Sequence, residues 1–299
     1  MQPTKATPST QTSASRGEII MNRHVGIARR AALAAVALAV AVAATPATAA
    51  TAAPPKPFKQ TNIHFEANAS ACDMGIQMSF DTAGITQGTV ESPYGQVVFD
   101  LEAAYGLERT HDVTEVFQER VEPPITDLEI ALGCEHRESA ISLAELLGNW
   151  PAGWYEFDGA SRGVEFEGKA KLTHKIPAGP DIIAPADGAV VAHDEDLLIQ
   201  WNKVTKPLLP TLGPVQIVGY HLLAVDVTQP VLAPGKTKTS LDADLSKSET
   251  SFLVPKQYLE PNRIYEFEVL AIEKGGNQTI SEGGVFCTRP ISAAKCVKP

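Results

Sequence analysis

Several short motifs that identify enzymes and metal proteins are missing from this 299-residue sequence. It has no P-loop, no glycine-rich dinucleotide turn and no Asp-x-Asp-x-Asp-Gly calcium loop. Its seven histidines never occur at His-x-x-x-His spacing, and its four cysteines never form a Cys-x-x-Cys pair. These absences count against nucleotide-dependent and zinc-dependent chemistry. We therefore expect a protein without cofactor, metal or catalytic residue.

Long apolar runs are also missing, apart from one near the N-terminus. Residues 31–44, AALAAVALAVAVAA, follow Arg23, Arg29 and Arg30 and precede small residues in the pattern Ala-x-Ala. This run falls short of the roughly 20 apolar residues that a membrane-spanning helix needs. The order of basic, apolar and small residues is that of a secretory signal peptide. We therefore predict a signal peptide with an upstream extension at residues 1–52, and no transmembrane segment after cleavage.

The charge of the chain is mainly negative outside the predicted signal region. The whole sequence has 25 basic and 35 acidic side chains, a formal charge of -10. Residues 1–53 hold five basic residues against one acidic residue, which leaves 20 against 34, or -14, for the rest. A surface this acidic repels phosphate backbones. We expect an exported protein, periplasmic or extracellular, without a nucleic-acid partner.

Export makes the four cysteines candidates for disulfides, because oxidising compartments preserve such bonds. Cys72, Cys134, Cys287 and Cys296 permit three pairings. The pair nearest in sequence is Cys287 with Cys296, which would fasten the C-terminal tail to the last strand. Cys72 with Cys134 would then close the first half. The spacing alone leaves the connectivity open.

Alternation of apolar and polar residues predicts strands in the first half of the chain. After a linker at 53–60, several segments bounded by Gly, Pro, Asn or Asp alternate at a period of two, as half-buried strands do. These segments are 62–67, 75–80, 95–102, 153–160 and 164–174. The last two are joined by a predicted hairpin between Asp158-Gly159 and Arg162-Gly163. We therefore predict a β-rich domain of unknown role over residues 61–176.

Two segments of the first half show helical spacing instead. Val113, Val116 and Phe117 recur at the spacing of a helix face in residues 110–121, behind a Thr/Asp start. A Ser-x-x-Glu capping box opens the segment SLAELLGNW at 142–150. Both segments are predicted to be helices. The largely polar stretch between them is predicted to be a loop.

Short strands separated by Pro and Gly turns continue in the second half. The strands predicted there are 196–204, 215–227, 251–255, the stretch 259–278 after a turn around Pro261-Asn262, and 279–288. Gly219 predicts a bulge in the second of them. Strands at this spacing are typical of a sandwich of about 100 residues.

The residues of this half resemble the fibronectin type III family. Trp201 ends the strand LLIQW, where that family buries a core tryptophan, and Tyr220 lies at the start of the third strand. Leu259 and Tyr265 match the family's Leu-x-Pro…Tyr-x-Phe-x-Val corner. The resemblance covers residues 181–290. It implies a fibronectin type III-like β-sandwich with these four side chains in its core.

The chain as a whole is similar to exported bacterial proteins that carry one C-terminal fibronectin type III domain behind a β-rich region. The segments that carry this resemblance are 122–124, 151–157, 169–180 and 267–283. It implies a mainly β protein in which the sandwich follows a β-rich domain with one or two short helices, and a C-terminal tail at 291–299. The function of that family is unassigned, so the resemblance implies no chemistry. The departures are a long connection at 203–214 and the terminal cysteine pair.

Three aromatic residues, Trp150, Trp154 and Tyr155, cluster where the second predicted helix meets a strand. Exposed, they could stack on a sugar ring, as aromatic residues of carbohydrate-binding sandwiches do. Buried, they would anchor the helix to the strand, which is the more usual role of aromatic residues at such a joint. They are candidates for ligand contact.

Two functional hypotheses follow from the sequence. The first is an exported, non-catalytic binding or structural protein whose sandwich serves as a spacer or protein-contact module, with a protein as partner. The second is an extracellular polysaccharide hydrolase or a carbohydrate-binding accessory protein with its site in residues 60–175. A cleft with two carboxylates, or Trp150 and Trp154 exposed side by side, would favour the second.

Overall fold

The computed structural model of the protein describes residues 53–118, 121–228 and 240–299. Residues Ala52–Pro299 form one compact unit. The predicted signal peptide and upstream extension lie outside the described residues. In the part of the chain that the structure describes, no helix is long and apolar enough to cross a membrane.

The described residues are mainly β, as the sequence predicts. The strands of the first half are β1 (Lys56–Pro57), β2 (Gln60–Asn68), β3 (Asp73–Ile85), β4 (Gln87–Glu91), β5 (Val97–Glu102), β6 (Val113–Gln118), β7 (Gly153–Ser161) and β8 (Val164–Leu172). Those of the second half are β9 (Ile182–Ala184), β10 (Ala189–Val191), β11 (Leu197–Trp201), β12 (Ile217–Asp226), β13 (Ser240–Ser246), β14 (Ser251–Val254), β15 (Ile264–Glu273) and β16 (Gln278–Thr288). The helices are α1 (Gly106–Thr110), α2 (Thr126–Leu132) and α3 (Leu143–Asn149), with short 3-10 turns at Pro210–Leu212 and Ala293–Lys295.

The second half forms the predicted β-sandwich. One sheet has the order β14-β11-β9, and the facing sheet contains the order β13-β12-β15-β16. Trp201, Tyr220, Leu259 and Tyr265 are all at most 4% exposed and pack in one apolar cluster between the sheets. Burial of such large aromatic side chains contributes most of the hydrophobic stabilisation of a sandwich core. This confirms the fibronectin type III-like fold of the second half.

The larger sheet of the sandwich continues into the first half of the chain. β16 pairs in parallel with β10 at one end, through Phe286 and Cys287, and with β2 at the other, where Gln278 lies opposite Glu66. β2 pairs with β3 and β3 with β6, so the sheet order runs on as β16-β2-β3-β6. The backbone groups of β16 that would form a sandwich edge are thereby bonded within the chain.

A second sheet, of order β1-β8-β7-β4-β5, packs against this extension. The core between the two layers is built by apolar side chains from both, with Phe65 and Met78 from one and Tyr155 and Phe157 from the other. The boundary predicted at 176–181 therefore lies inside one compact unit, crossed by the β16–β2 pairing. The division into a domain at 61–176 and a domain at 181–290 stays a prediction.

The structure corrects the two predictions around residues 110–140. The predicted helix at 110–121 is wrong, because residues Val113–Gln118 form β6 and pair with β3. β-branched residues occupy this edge position readily, and the hydrogen bonds of the neighbouring strand override the helical spacing. The predicted loop is also incomplete, since α2 lies within it and ends at Gly133 with φ 79°, a left-handed conformation that suits glycine.

The structure contains two disulfides, and they resolve the connectivity that the sequence leaves open. Cys72 bonds to Cys134, and Cys287 bonds to Cys296. The first ties the turn between β2 and β3 to the segment after α2, and the second fastens the C-terminal tail to β16. The predicted bulge at Gly219 is also present, as a register shift between β12 and β15.

Candidate functional site

The three aromatic candidates do not form one group. Trp150 and Tyr155 pack towards the core, whereas Trp154 lies on the other face of β7. Trp150 and Tyr155 stack with ring centroids 6.4 Å apart and pack on the core of the first half. The Tyr155 hydroxyl donates to the Pro151 carbonyl at 3.1 Å, and burial raises the pKa of this tyrosine to about 12. These two rings hold the end of α3 against β7, which is the anchoring role considered for all three.

Trp154 lies on the opposite face of β7 and is 55% exposed. Successive residues of a strand point to opposite faces, so burial of Tyr155 turns Trp154 outward. Its ring forms part of the wall of an open cleft of about 720 Å³. Trp150 and Trp154 are therefore not exposed side by side.

Lysines surround Trp154 in this cleft. Lys171 lies directly opposite Trp154 across the β7–β8 pair, and its ammonium is 5.8 Å from the indole centroid. The other lysines that line the cleft are Lys169, Lys175 and Lys274. We call Trp154 and these four lysines the Trp154 cleft. An exposed indole and several ammonium groups can together hold a ligand that has a flat apolar face and negative charge.

The Trp154 cleft contains a single acidic side chain, Glu273, among the residues that line it. Glu273 is only 3% exposed, and its carboxylate accepts the backbone N–H of Gly275 at 2.5 Å. Lys169 pairs with Glu156 at 2.7 Å on the outer face of the sheet, and this hydrogen bond raises the pKa of Lys169. The exposed charge facing the cleft is thus positive.

Both halves of the chain build the walls of the Trp154 cleft. β2, β7 and β8 supply one side, and the other side comes from residues 214–216 and 273–275. The second of these loops is held by Asn277, whose side chain donates to the carbonyls of Thr173 and Lys175. The position of Lys274 relative to Trp154 therefore depends on a contact between residues far apart in sequence.

A second cleft, of about 500 Å³, lies on the same five-stranded sheet and is acidic. The carboxylates that line it belong to Asp100, Glu102, Asp158 and Glu165. The pKa of Asp158 is raised, first by burial and then by its carboxylate neighbours. Asp100 and Asp158 both pair with Thr89, which places their backbones two strand spacings, about 10 Å, apart. We call this the acidic cleft.

The Gly-x-Ser-x-Gly pattern of a nucleophile elbow occurs in the sequence at residues 159–163. In hydrolases this pattern connects a strand to a helix and exposes the serine. Here it lies at the hairpin between β7 and β8, with Arg162 and Gly163 as the two turn residues. Ser161 is 5% exposed. The strand-to-strand setting and the burial of Ser161 do not fit a nucleophile elbow.

Metal ligands do not converge in the described part of the chain, where no three His, Cys, Asp or Glu side chains are placed to hold an ion. The carboxylates of the acidic cleft are spread along three strands instead. The structure thus brings together one aromatic–lysine group and one carboxylate group on the five-stranded sheet.

No protein-family model matches this chain, and no curated protein sequence matches it. Solved structures of fibronectin type III modules show a partial likeness. Chicken CNTN1 domains FN1–FN3 are 11% identical, with 78% of this chain and 67% of that chain covered and a TM-score of 0.27. A two-domain fibronectin type III segment of chicken tenascin is 11% identical, with 76% and 97% covered and a TM-score of 0.24. The fibronectin(III)-like modules of Clostridium thermocellum CbhA are 8% identical, with 78% and 97% covered and a TM-score of 0.26.

TM-scores of this size do not establish a common fold. The assignment of the second half as a fibronectin type III-like sandwich rests on its strand order and on the burial of Trp201 and Tyr265.

Proposed function

We propose that this chain is an exported, non-catalytic binding protein that holds a polysaccharide against Trp154. The observation that carries the proposal is the exposed indole of Trp154 in the wall of a cleft large enough for sugar residues. Aromatic rings that present one flat face to solvent offer apolar area at low conformational cost to the flat face of a sugar ring. The carbohydrate-binding role expected as the alternative from sequence is thus the better supported one.

The sandwich acts in this proposal as a frame for the cleft. Its loops 214–216 and 273–275 form one wall, and its large sheet continues into β2 behind the other. Sites built on strands that are packed and hydrogen-bonded on both sides keep their geometry better than sites on free loops. The spacer role of the fibronectin type III-like module and the binding role of the first half are therefore combined in one unit.

Export is supported by the two disulfides and by the predicted signal peptide. Disulfides persist in oxidising compartments and are rare in the reducing cytosol. All four cysteines are paired in the structure. A periplasmic or extracellular location is where a polysaccharide ligand would be met.

The proposal is tested by binding of the purified protein to a panel of soluble polysaccharides in affinity electrophoresis and calorimetry. Trp154→Ala removes the stacking surface, and we expect the affinity to fall by about tenfold or more, equivalent to about 1.4 kcal/mol. Tyr94→Ala is the matched control, because Tyr94 is 77% exposed and does not line the Trp154 cleft. Absence of binding to every polysaccharide, or unchanged binding by Trp154→Ala, would contradict the proposal.

A polysaccharide hydrolase is the second candidate, favoured by the acidic cleft. Inverting glycosidases separate an acid and a base carboxylate by roughly 6.5–9.5 Å. Asp100 and Asp158 flank Thr89 on the two neighbouring strands, with one strand between them, and the raised pKa of Asp158 suits a proton donor. Release of reducing ends that is abolished by Asp158→Asn and kept by Trp154→Ala would establish this candidate. No release from any polysaccharide of the panel would exclude it in favour of binding.

The sequence first suggests a protein-contact role. The observation that favours this role lies on the outer face of the three-stranded sheet. Leu198 and Leu253 lie opposite each other there and are 42% and 58% exposed. Two adjacent exposed leucines are a small apolar patch, less than most stable protein interfaces need. This support is weaker than that of the Trp154 cleft.

A further inference from the structure

The charges around Trp154 narrow the class of polysaccharide that the cleft accepts. We infer that the ligand is an acidic polysaccharide, with one sugar ring stacked on the indole and its anionic groups held by the surrounding lysines. The inference rests on the proposed polysaccharide binding and specifies its ligand class.

The Trp154 cleft is positively charged, whereas the protein as a whole is negatively charged. The chain has a formal charge of -10, yet its cleft is lined by four lysines and one buried glutamate. Positive charge gathered in a concave region raises the local concentration of anions there. A neutral polysaccharide would gain nothing from this arrangement.

Three of the four lysines are available to a ligand. Lys169 pairs with Glu156. For Lys171, Lys175 and Lys274, the described residues provide no carboxylate within ion-pair distance, and all three are exposed. Ammonium groups without a protein counterion lose little when they exchange water for a carboxylate or sulfate of the ligand.

The geometry around the indole fits a sugar acid better than a simple anion. The Lys171 ammonium lies 5.8 Å from the Trp154 centroid, so a sugar stacked on this ring would bring a carboxylate into reach of Lys171 as its flexible side chain moves off the ring. The amide side chains of Asn62 and Gln216 also line the cleft and are of the kind that binds sugar hydroxyls. A polyglutamate chain would use the lysines but has no ring to stack on the indole.

The test compares four soluble probes of similar length on the purified protein. The probes are polygalacturonate, a sulfated glycan, a neutral glucan and polyglutamate. We expect one or both acidic glycans to bind about tenfold or more tightly than the neutral glucan, with affinity falling between 0.1 M and 1 M salt, as the Debye length shortens from about 10 Å to about 3 Å. Comparison of polygalacturonate with the sulfated glycan shows whether the cleft binds carboxylate groups, sulfate groups or both.

The triple variant Lys171→Gln, Lys175→Gln, Lys274→Gln keeps the indole and removes the three unpaired charges. We expect it to lose the preference for acidic glycans while it still binds the neutral glucan weakly through Trp154. Lys247→Gln is the control, since Lys247 is exposed and lies outside the cleft. Circular dichroism of each variant checks that the fold is kept.

The outcomes separate this inference from the proposed function. Equal binding of acidic and neutral glycans, or binding that the triple variant retains in full, would overturn the acidic-ligand inference and leave polysaccharide binding standing. The inference would also be overturned if polyglutamate binds as tightly as polygalacturonate and Trp154→Ala does not weaken that binding. Charge alone would then explain the selection. If no glycan binds at all, both the proposed function and the acidic-ligand inference fail.

Discussion

The side-chain oxygen of Asn277 accepts a hydrogen bond from the backbone N–H of Phe65 at 2.9 Å, across 212 residues of sequence. The amide nitrogen of the same side chain donates to the carbonyls of Thr173 and Lys175 at 2.8 and 3.1 Å. Asn277 is completely buried. One side chain from the β15–β16 turn thus binds both β2 and the segment that connects the two halves, next to the wall of the Trp154 cleft.

Replacement of this residue tests whether the two halves fold as one unit. Asn277→Ala leaves one buried donor and two part-buried carbonyls without this partner, and we expect the free energy of unfolding to fall by about 2 kcal/mol. Urea unfolding followed by tryptophan fluorescence and by far-UV circular dichroism measures it. Asn202→Ala is the control, because Asn202 is exposed, and it should change stability by about 0.5 kcal/mol at most. A loss below about 1 kcal/mol for Asn277→Ala would contradict the role assigned to the network.

The corner at Tyr265 provides a second test, confined to the sandwich. Its hydroxyl accepts the backbone N–H of Glu260 at 2.8 Å and donates to the carbonyl of Tyr258 at 3.2 Å, in a side chain that is 1% exposed. Tyr265→Phe keeps the ring and removes both hydrogen bonds, so we expect a loss of about 1–2 kcal/mol in thermal or urea unfolding. Tyr94→Phe, at an exposed position, should be neutral. Equal stability of the two variants would show that the corner hydroxyl does not stabilise the sandwich.

The two disulfides should differ in what they contribute, because they close loops of different length. The Cys72–Cys134 bond spans 62 residues and the Cys287–Cys296 bond spans 9. A longer loop restricts the unfolded chain more, so removal of the first bond should cost about 4 kcal/mol and removal of the second about 2.5 kcal/mol. The double variants Cys72→Ala/Cys134→Ala and Cys287→Ala/Cys296→Ala measure this by urea unfolding. A reversed order would mean that local packing, rather than loop entropy, sets the contribution.

The strand positions were predictable from the sequence, whereas the way the halves join was not. Alternation identified most strands, since a half-buried strand repeats its apolar residues every two positions whatever it pairs with. The parallel pairing of Gln278 with Glu66 depends on residues that lie 212 positions apart, and no local pattern encodes it. The helix predicted at 110–121 failed for the same reason, because pairing with β3 decides the conformation of this edge segment.

Part of the Trp154 cleft could be derived from the sequence. The turn at Arg162-Gly163 sets the register of the β7–β8 hairpin, and counting outward from it places Trp154 opposite Lys171. Alternation then puts Lys169 on the same face. Lys274 reaches the cleft only through the packing of the β15–β16 turn, which the sequence does not reveal.

A pH dependence of stability should arise at Glu268, in the large sheet. Burial raises the pKa of Glu268 to about 7, and the carboxylates of Glu66, Glu282 and Glu266 add to the effect, with Glu282 directly opposite on β16. His221, the nearby basic group, acts in the other direction. The folded protein therefore holds this proton more tightly than the unfolded chain, where a glutamate has a pKa of about 4.3.

This contribution to stability is fully present below the unfolded pKa of about 4.3 and is lost as the pH rises through about 7. After allowance for the partial exposure of Glu268, we expect Glu268→Gln to be more stable than the wild type by about 1 kcal/mol at pH 8.5, with the gain shrinking towards pH 5. Urea unfolding at closely spaced pH values measures the difference. Glu195→Gln is the control, since it removes one carboxylate at an exposed position. A constant difference for Glu268→Gln would show that this carboxylate is ionised in the folded protein across the whole range.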